Sequence, residues 1–301
     1  MRISKRGKVI VIVGPTSSGK TELSLRLAKK FNGVIISADS RQVYRHMDIA
    51  TAKTTKTQQQ GISHYMIDIV DPEEKFTLAS YQHTVNNLLK AIFEDNRKRS
   101  KPMIPFIVGG TGLYIKSIID GYQLPKVAPN QALRDKLVSL SLDNLVAKLT
   151  WLDPKTKTDL KNKRRVIRAI EILMAQKTSA TEFNPPDYEF LQIGISRPRE
   201  GLYQRIEQKV NEMYHEGLVK ETKKLLGLGY NFTSPSFSAH GYKHIKSYLE
   251  HKITLKTALE LMKKDTRHYA KRQLTWFRAD KRINWVKDYS EAEALIQNFL
   301  K

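Results

Sequence analysis

The sequence predicts an α/β fold in which a parallel sheet flanked by helices is interrupted by an inserted helical domain. Three observations lead there. Apolar, β-branched runs alternate with helical periodicity through residues 1–120. A glycine-rich loop joins the first of those runs to the first helix. The alternation then stops over residues 121–189, and a strand-like run resumes it. The core is accordingly assigned to 1–120 and 190–301, with 121–189 as the insertion.

The first strand, Lys8 to Val13, reads KVIVIV and suits burial on both faces. Leu23, Leu27 and Phe31 recur at helical spacing after it. Between them lies Gly14-Pro15-Thr16-Ser17-Ser18-Gly19-Lys20-Thr21, two glycines with four residues between them, then Lys and a hydroxyl. Glycines let backbone N–H groups turn toward anionic oxygens, Lys20 adds a point charge, Thr21 can hold Mg²⁺, and the helix N-terminus adds its dipole. Strand, loop and helix together make a P-loop NTPase-like arrangement whose ligand is a di- or triphosphate. Taken alone, the loop also fits a glycine turn before an ordinary helix.

The next strands are Gly33 to Ala38 and Met103 to Val108. Ligands of parallel sheets sit outside the carboxyl ends of strands, so the residues just past each strand matter most. After the second comes Asp39-Ser40-Arg41-Gln42-Val43-Tyr44, and after the third Gly109-Gly110-Thr111-Gly112-Leu113-Tyr114. A carboxylate at Asp39 can take a proton from a nucleophile or hold Mg²⁺ through water; Asp39 or Ser40 can equally cap a helix. The glycines offer close backbone approach beside the Thr111 hydroxyl, or a plain turn.

The insertion reads as helices broken by Pro and Asp. Asp153-Pro154 suits a helix start, and in Arg164 to Glu171 the residues Ile167 and Ile170, with Met174, share one side while Arg164 and Arg168 share another. Phe190 to Ser196 reads as the returning strand, and the rest from Arg199 as mostly helix. From Leu255 to Arg278, Leu255, Leu259, Met262, Tyr269 and Trp276 fall on one arc of a helical wheel. Lys256, Lys263, Arg267, Lys271 and Arg278 fall on the opposite arc, which suits nucleic-acid phosphates or, alternatively, ion pairs with neighbouring acids. Tyr269, Trp276 and Phe277 read as core rather than as base-stacking platforms.

Fifty-two Lys and Arg against thirty Asp and Glu leave a formal charge of +22, which points to a polyanion larger than a nucleotide. With no cysteine, disulfides, thiolate–zinc sites and thiol catalysis are excluded. The basic start MRISKRGKVIVIVG has too short an apolar run for a signal peptide, and no segment approaches a membrane span. A cytoplasmic protein is expected.

The motifs GPTSSGKT, SADSRQVY, IVGGTGLYIKSIIDG, RRVIRAIEIL, HGYK and TRHYAKRQLTWFR, in this order along nearly the whole chain, resemble the tRNA dimethylallyltransferase (tRNA isopentenyltransferase) family. The resemblance implies transfer of a dimethylallyl group from dimethylallyl diphosphate to N6 of the adenosine 3′ of the anticodon (position 37), with Mg²⁺ as cofactor. It implies that Gly14, Thr16, Ser17, Ser18, Gly19, Lys20, Thr21 and Lys209 bind the diphosphate and that Asp39, Lys20 and Thr111 are catalytic. The tRNA anticodon stem-loop would meet Asp39, Ser40, Arg41, Gln42, Thr111, Arg134, Arg164, Arg165, Arg168, His240, Gly241, Tyr242, Lys243, Arg267, Lys271, Arg272, Gln273 and Arg278. The insertion would clamp that stem-loop, and the enzyme would act as a monomer without a protein partner. The chain departs from the family at Lys209, where the family places an Arg that reaches the diphosphate, and at Ala50 to Thr54 and His64-Tyr65. Without the resemblance, the loop and Asp39 also suit a P-loop kinase, a prenyltransferase of free adenine nucleotides, or an RNA-binding NTPase.

Overall fold

In the computed structural model, residues 7–125, 127–175 and 187–301 are described. One compact unit comprises Met1–Asp120 and Pro186–Lys301, and a second comprises Gly121–Pro185. The first unit is built on a six-stranded sheet, β1 (Gly7–Val13), β2 (Gly33–Ser37), β3 (His64–Tyr65), β4 (Ile104–Gly109), β5 (Tyr188–Ile195) and β6 (Ile283–Val286). Its order is β3-β2-β4-β1-β5-β6, with every pairing parallel. The β-branched run of β1 sits near the middle, Val9 to Val13 wholly buried, because both faces are covered.

One face carries α2 (Leu78–Asn96) and α3 (Gly112–Ile119), whose Tyr81, Val85, Leu89, Tyr114, Ile115 and Ile118 pack on Val11, Ile36 and Ile107. The other carries α1 (Lys20–Lys30) and the C-terminal α11 (Tyr289–Leu300), packed on Ile10, Ile12, Phe106 and Ile193. The N-termini of α2 and α11 are capped by Thr77 and Asp288, which accept backbone N–H groups of Ser80 and Glu291. The helices α7 (Arg199–His215), α8 (Leu218–Gly227), α9 (His240–Leu249) and α10 (Leu255–Arg278) follow β5. They form a third core with Val43, Tyr44 and Met47, the segment just beyond β2.

The second unit holds α4 (Gln131–Val138), α5 (Leu142–Leu152) and α6 (Lys163–Met174) around Leu137, Leu145, Leu149, Val166, Ile167 and Ile170. Its helices start on Asn130, Ser141 and Asn162, each side chain accepting a backbone N–H.

The structure moves several boundaries. The returning strand starts at Tyr188, two residues before the expected Phe190, because Gly7↔Tyr188 already pair. The edge strands β3 and β6 are absent from the sequence reading; at two and four residues they are too short to show a period. Asp153-Pro154 closes α5 rather than opening a helix, since the Asp153 N–H bonds Leu149 O and Asn162 takes the capping role for α6. Met174, expected on the apolar side of α6, is exposed.

Candidate active site

Four strand ends meet at one rim of the sheet. Val13 pairs with Gly109 on one side and Gly194 on the other, and Ser37 pairs with Val108. The segments leaving β1, β2, β4 and β5 therefore emerge side by side where the chain has turned away from β1 in both directions.

The loop after β1 holds Gly14 at φ 151°, Ser17 at 60° and Gly19 at 97°. Two of these positive angles fall on glycines; the third is a strained choice for serine. Lys20 donates from Nζ to Pro15 O at 2.6 Å, and burial lowers its pKa to about 8 against the upward pull of the Asp39 carboxylate. Ser18 is fully buried, and its hydroxyl has no hydrogen-bond partner among the described residues. An unpaired buried hydroxyl costs about 1–3 kcal/mol, which an anionic oxygen in the loop would recover. Two guanidinium groups hold the loop from outside. Arg197 Nε donates to Ser18 O at 2.5 Å and Arg205 Nε to Ser17 O at 3.1 Å.

Asp39 follows the end of β2, separated from β1 by β4 alone, at the rim where this loop leaves the sheet. Its Oδ1 accepts the Arg41 N–H at 2.8 Å and closes a turn; no helix starts there, so neither Asp39 nor Ser40 is a helix cap. Thr111 fixes the same segment from β4: its Oγ1 accepts the Ser40 N–H at 3.0 Å while its own N–H donates to Ala38 O at 3.0 Å. Gln42 braces the turn, its Oε1 accepting from Ser37 Oγ at 3.0 Å. Two tyrosines complete the neighbourhood. Tyr269 and Tyr114 are each pushed up to about 12, chiefly by burial, with Asp39 adding to the shift. Both phenols stay protonated as hydrogen-bonding groups at neutral pH.

The glycines after β4 are explained by close approach. A Cβ at Gly109 would collide with the Ala38 carbonyl, at Gly110 with the Gln273 amide, and at Gly112 with the Trp276 indole. Gln273 is the key contact. Buried on α10, it accepts the Thr16 N–H on Oε1 at 2.8 Å and donates from Nε2 to Gly110 O at 2.8 Å. Named above among the tRNA contacts, Gln273 ties the phosphate loop to the β4 turn.

The IPP transferase family model matches residues 42–280. A tRNA dimethylallyltransferase of Thermoanaerobacter sp. (strain X514) is 43% identical over 98% of this chain and 96% of its own length. The crystal structure of the tRNA isopentenylpyrophosphate transferase of Bacillus halodurans superposes with TM-score 0.73 at 39% identity, covering 98% of this chain and 96% of that one. A eukaryotic dimethylallyltransferase captured acting on tRNA superposes with TM-score 0.78 at 28% identity over 97% of this chain and 77% of that one. The chain belongs to the IPP transferase family. Its P-loop NTPase-like fold is that of its structural neighbours.

Other residues picked out by likeness to the IPP transferases fall into two groups. Some are committed to the fold. Tyr242 is fully buried and donates to Glu221 Oε1 at 2.9 Å, while the same carboxylate accepts the N–H groups of Asp48, Ile49 and Ala50. Gly241 is buried against Met262 of α10. His240 opens α9. Lys209 pairs with Glu212 of α7 at 3.5 Å and with Glu216, which caps the helix, at 3.7 Å. The α7 side chain that bonds the loop is that of Arg205, one turn earlier. On α10, Arg267 pairs with Glu207 at 2.8 Å and Lys263 with Glu260 at 2.8 Å, so part of the basic arc is neutralised.

Others remain open to solvent. Lys243, Lys271, Arg272 and Arg278 are exposed, and Arg272 lies over the Tyr269 ring at 5.8 Å. Trp276, expected in the core, is 44% exposed, because the buried seam of α10 is Ala258, Met262, Ala270, Gln273 and Phe277. Its indole lines a cavity of about 710 Å³ with Ile115, Ile119, Phe277, Lys271 and Arg272.

Within the helical unit, Arg134 grips Glu171 with Nε at 2.9 Å and Nη2 at 2.8 Å, and Arg168 bonds the same carboxylate and Val127 O. Burial would raise the Glu171 pKa; hydrogen bonds from Arg134, Arg168 and the Asn130 N–H overcome this and hold it at about 2. These two arginines, expected on tRNA, thus spend much of their charge on a buried glutamate. Arg165 pairs with Asp159 at 3.3 Å, and Arg164 is exposed.

Proposed function

We propose that the chain transfers the dimethylallyl group of dimethylallyl diphosphate to N6 of the adenosine 3′ of the anticodon in tRNA. The observation that carries the reading is the pairing of a diphosphate-type loop with Asp39 at the next strand end, in a member of a family whose relatives are tRNA dimethylallyltransferases. Adenine N6 is a weak nucleophile because its lone pair is shared with the ring. Asp39 takes the N6 proton as the N–C bond forms; the carbon–oxygen bond of the donor breaks, and both its electrons leave with diphosphate. Thr111 and the Arg41 N–H keep the carboxylate at that edge.

The leaving group accumulates negative charge as allyl-cation character develops. Lys20, the loop N–H groups and the unpaired Ser18 hydroxyl face that charge, and Arg205 and Arg197 support the loop behind them. Among the described residues no cluster of three His, Cys, Asp or Glu forms a metal site. The Thr21 hydroxyl nonetheless suits Mg²⁺ that arrives with diphosphate, since this ion commonly takes one or two protein oxygens and fills its shell from phosphate and water. Bound there, it would neutralise leaving-group charge. Exposed Lys271, Arg272, Lys243 and Arg164 supply RNA phosphate contacts, and Trp276 offers a ring for an unstacked base. No helix among the described residues is long and apolar enough to cross a membrane.

Incubation with labelled dimethylallyl diphosphate and either tRNA or AMP tests the reading. Label in tRNA, at an adenosine N6 by nucleoside mass spectrometry, is the expected result. Transfer to AMP alone, or none to either, would refute it.

A further inference from the structure

Beside the phosphate loop lies a hollow of about 440 Å³ that the transfer reaction leaves unused. Ser196 and Arg197 border it just past the end of β5, Arg278 and Lys281 at the end of α10, and Trp285 on β6. Its single acid, Asp280, is already satisfied: its carboxylate accepts the Arg282 N–H at 3.0 Å, Nε at 2.9 Å and Nη2 at 2.6 Å. Neither Arg278 nor Lys281 has a carboxylate partner among the described residues, and Arg197 is bonded only to the uncharged Ser18 carbonyl. Three cations thus line one small hollow, whose remaining walls include the apolar side chains of Leu274, Ile283 and Trp285. The negative end of the α10 dipole offsets about half a charge of this, leaving a clear excess.

Like charges held together in this way are stabilised by an anion between them, and Arg197 says which anion. Its guanidinium belongs to both places: Nε holds Ser18 O, while Nη2 comes within 3.1 Å of where a Gly19 Cβ would stand. An anion leaving the loop therefore passes a group that also lines the hollow. We propose that the hollow is a second anion-binding site, which receives the inorganic diphosphate released from the loop. The proposal rests on the loop being the donor site. Diphosphate has two tetrahedral groups that can accept from the arginine forks and the lysine together.

The test is calorimetric titration of the full chain with inorganic diphosphate. Wild type should bind two equivalents, Lys20→Ala should lose the loop equivalent, and Lys281→Glu should lose the hollow equivalent. Lys281→Gln should weaken the second site about tenfold without inverting its charge. A single equivalent in wild type, abolished by Lys20→Ala, would overturn the hollow while leaving the donor reading intact. Two equivalents unaffected by Lys20→Ala would instead count against the loop. If Lys281→Glu left diphosphate binding unchanged but flattened the salt dependence of tRNA binding, the hollow would belong to an RNA phosphate and the proposal would fail.

Discussion

Gln273→Leu nearly conserves side-chain volume while deleting both hydrogen bonds that tie α10 to the phosphate loop and the β4 turn. Each bond is 2.8 Å and lies in or next to the core, so the net loss is about 1 kcal/mol per bond. Gly110 O is then left unpaired in a buried place, which adds roughly 1–2 kcal/mol, for a total of about 3–4 kcal/mol. The two bonds should separate in measurement. Loss of the Gly110 bond should appear as a lower denaturation midpoint; loss of the Thr16 bond frees a loop amide and should appear as altered donor affinity. Gln273→Glu distinguishes them further, because one oxygen still accepts from Thr16 while the other opposes the Gly110 carbonyl. Equilibrium unfolding, donor titration and tRNA titration on both variants provide the readouts. The reasoning is refuted if Gln273→Leu leaves stability and donor affinity unchanged while tRNA affinity falls, for the side chain would then be reaching RNA.

Asp39→Ala should lower single-turnover transfer by about 10² to 10⁴ with tRNA affinity within a few fold, and near-normal turnover would remove Asp39 as the base. Donor affinity should decline as pH rises through about 8, where Lys20 of the free enzyme loses its charge. Asp39→Asn should move that decline to lower pH because it removes the carboxylate that holds the Lys20 pKa up; a fixed midpoint would dissociate the two groups. Glu171 has its folded pKa depressed to about 2, so its contribution to the helical unit is full above the ordinary glutamate range near 4.5 and is lost as pH falls toward 2. Circular dichroism should show that acid-side transition, and Glu171→Gln should destabilise by about 3 kcal/mol by leaving two guanidinium groups around a neutral amide. Lys271→Ala should reduce the log–log salt slope of tRNA binding by about 0.7 to 0.9, while Lys209→Ala should leave it unchanged.

The chemistry at the sheet rim is legible in the sequence because strand, glycine loop and helix succeed one another without interruption. Asp39 and Thr111 need only the rule that ligands gather at carboxyl ends of parallel strands. Applied once more, to the end of β5, that rule picks out Arg197, which is easily missed because no glycine or carboxylate marks the place. Gln273 also leaves a trace. It lies five helical turns after Leu255, in the middle of the apolar arc, where a lone amide signals a buried bridge more than a phosphate contact. Trp276 departs from expectation for the converse reason: at the margin of that arc, hydropathy alone cannot separate a packed ring from one lining a cavity.

A formal charge of +22 identifies the kind of partner but not the residues that meet it. Sequence spacing treats every cation on a helix face alike, yet long side chains are captured by whichever acid the fold brings near. Arg134 and Arg168 are drawn to Glu171, Arg267 to Glu207 across from α7, and Lys209 to glutamates at the end of its own helix. Glu171 lies 37 residues from Arg134 and Glu207 lies 60 from Arg267, so no local pattern announces those two pairs, whereas Arg168–Glu171 and Lys209–Glu212 are i,i+3 neighbours. Among the cations singled out from the sequence, those left exposed without a carboxylate partner among the described residues are Arg164 in the helical unit and Lys243, Lys256, Lys271, Arg272 and Arg278 in the other; Lys281 joins them just past the end of α10. Arg278 and Lys281 face the hollow beside the loop, while Lys271 and Arg272 flank the exposed Trp276 ring. The same helix, α10, therefore leaves cations exposed along its outer face, brings others to the hollow at its end, and through Gln273 ties the phosphate loop to the β4 turn.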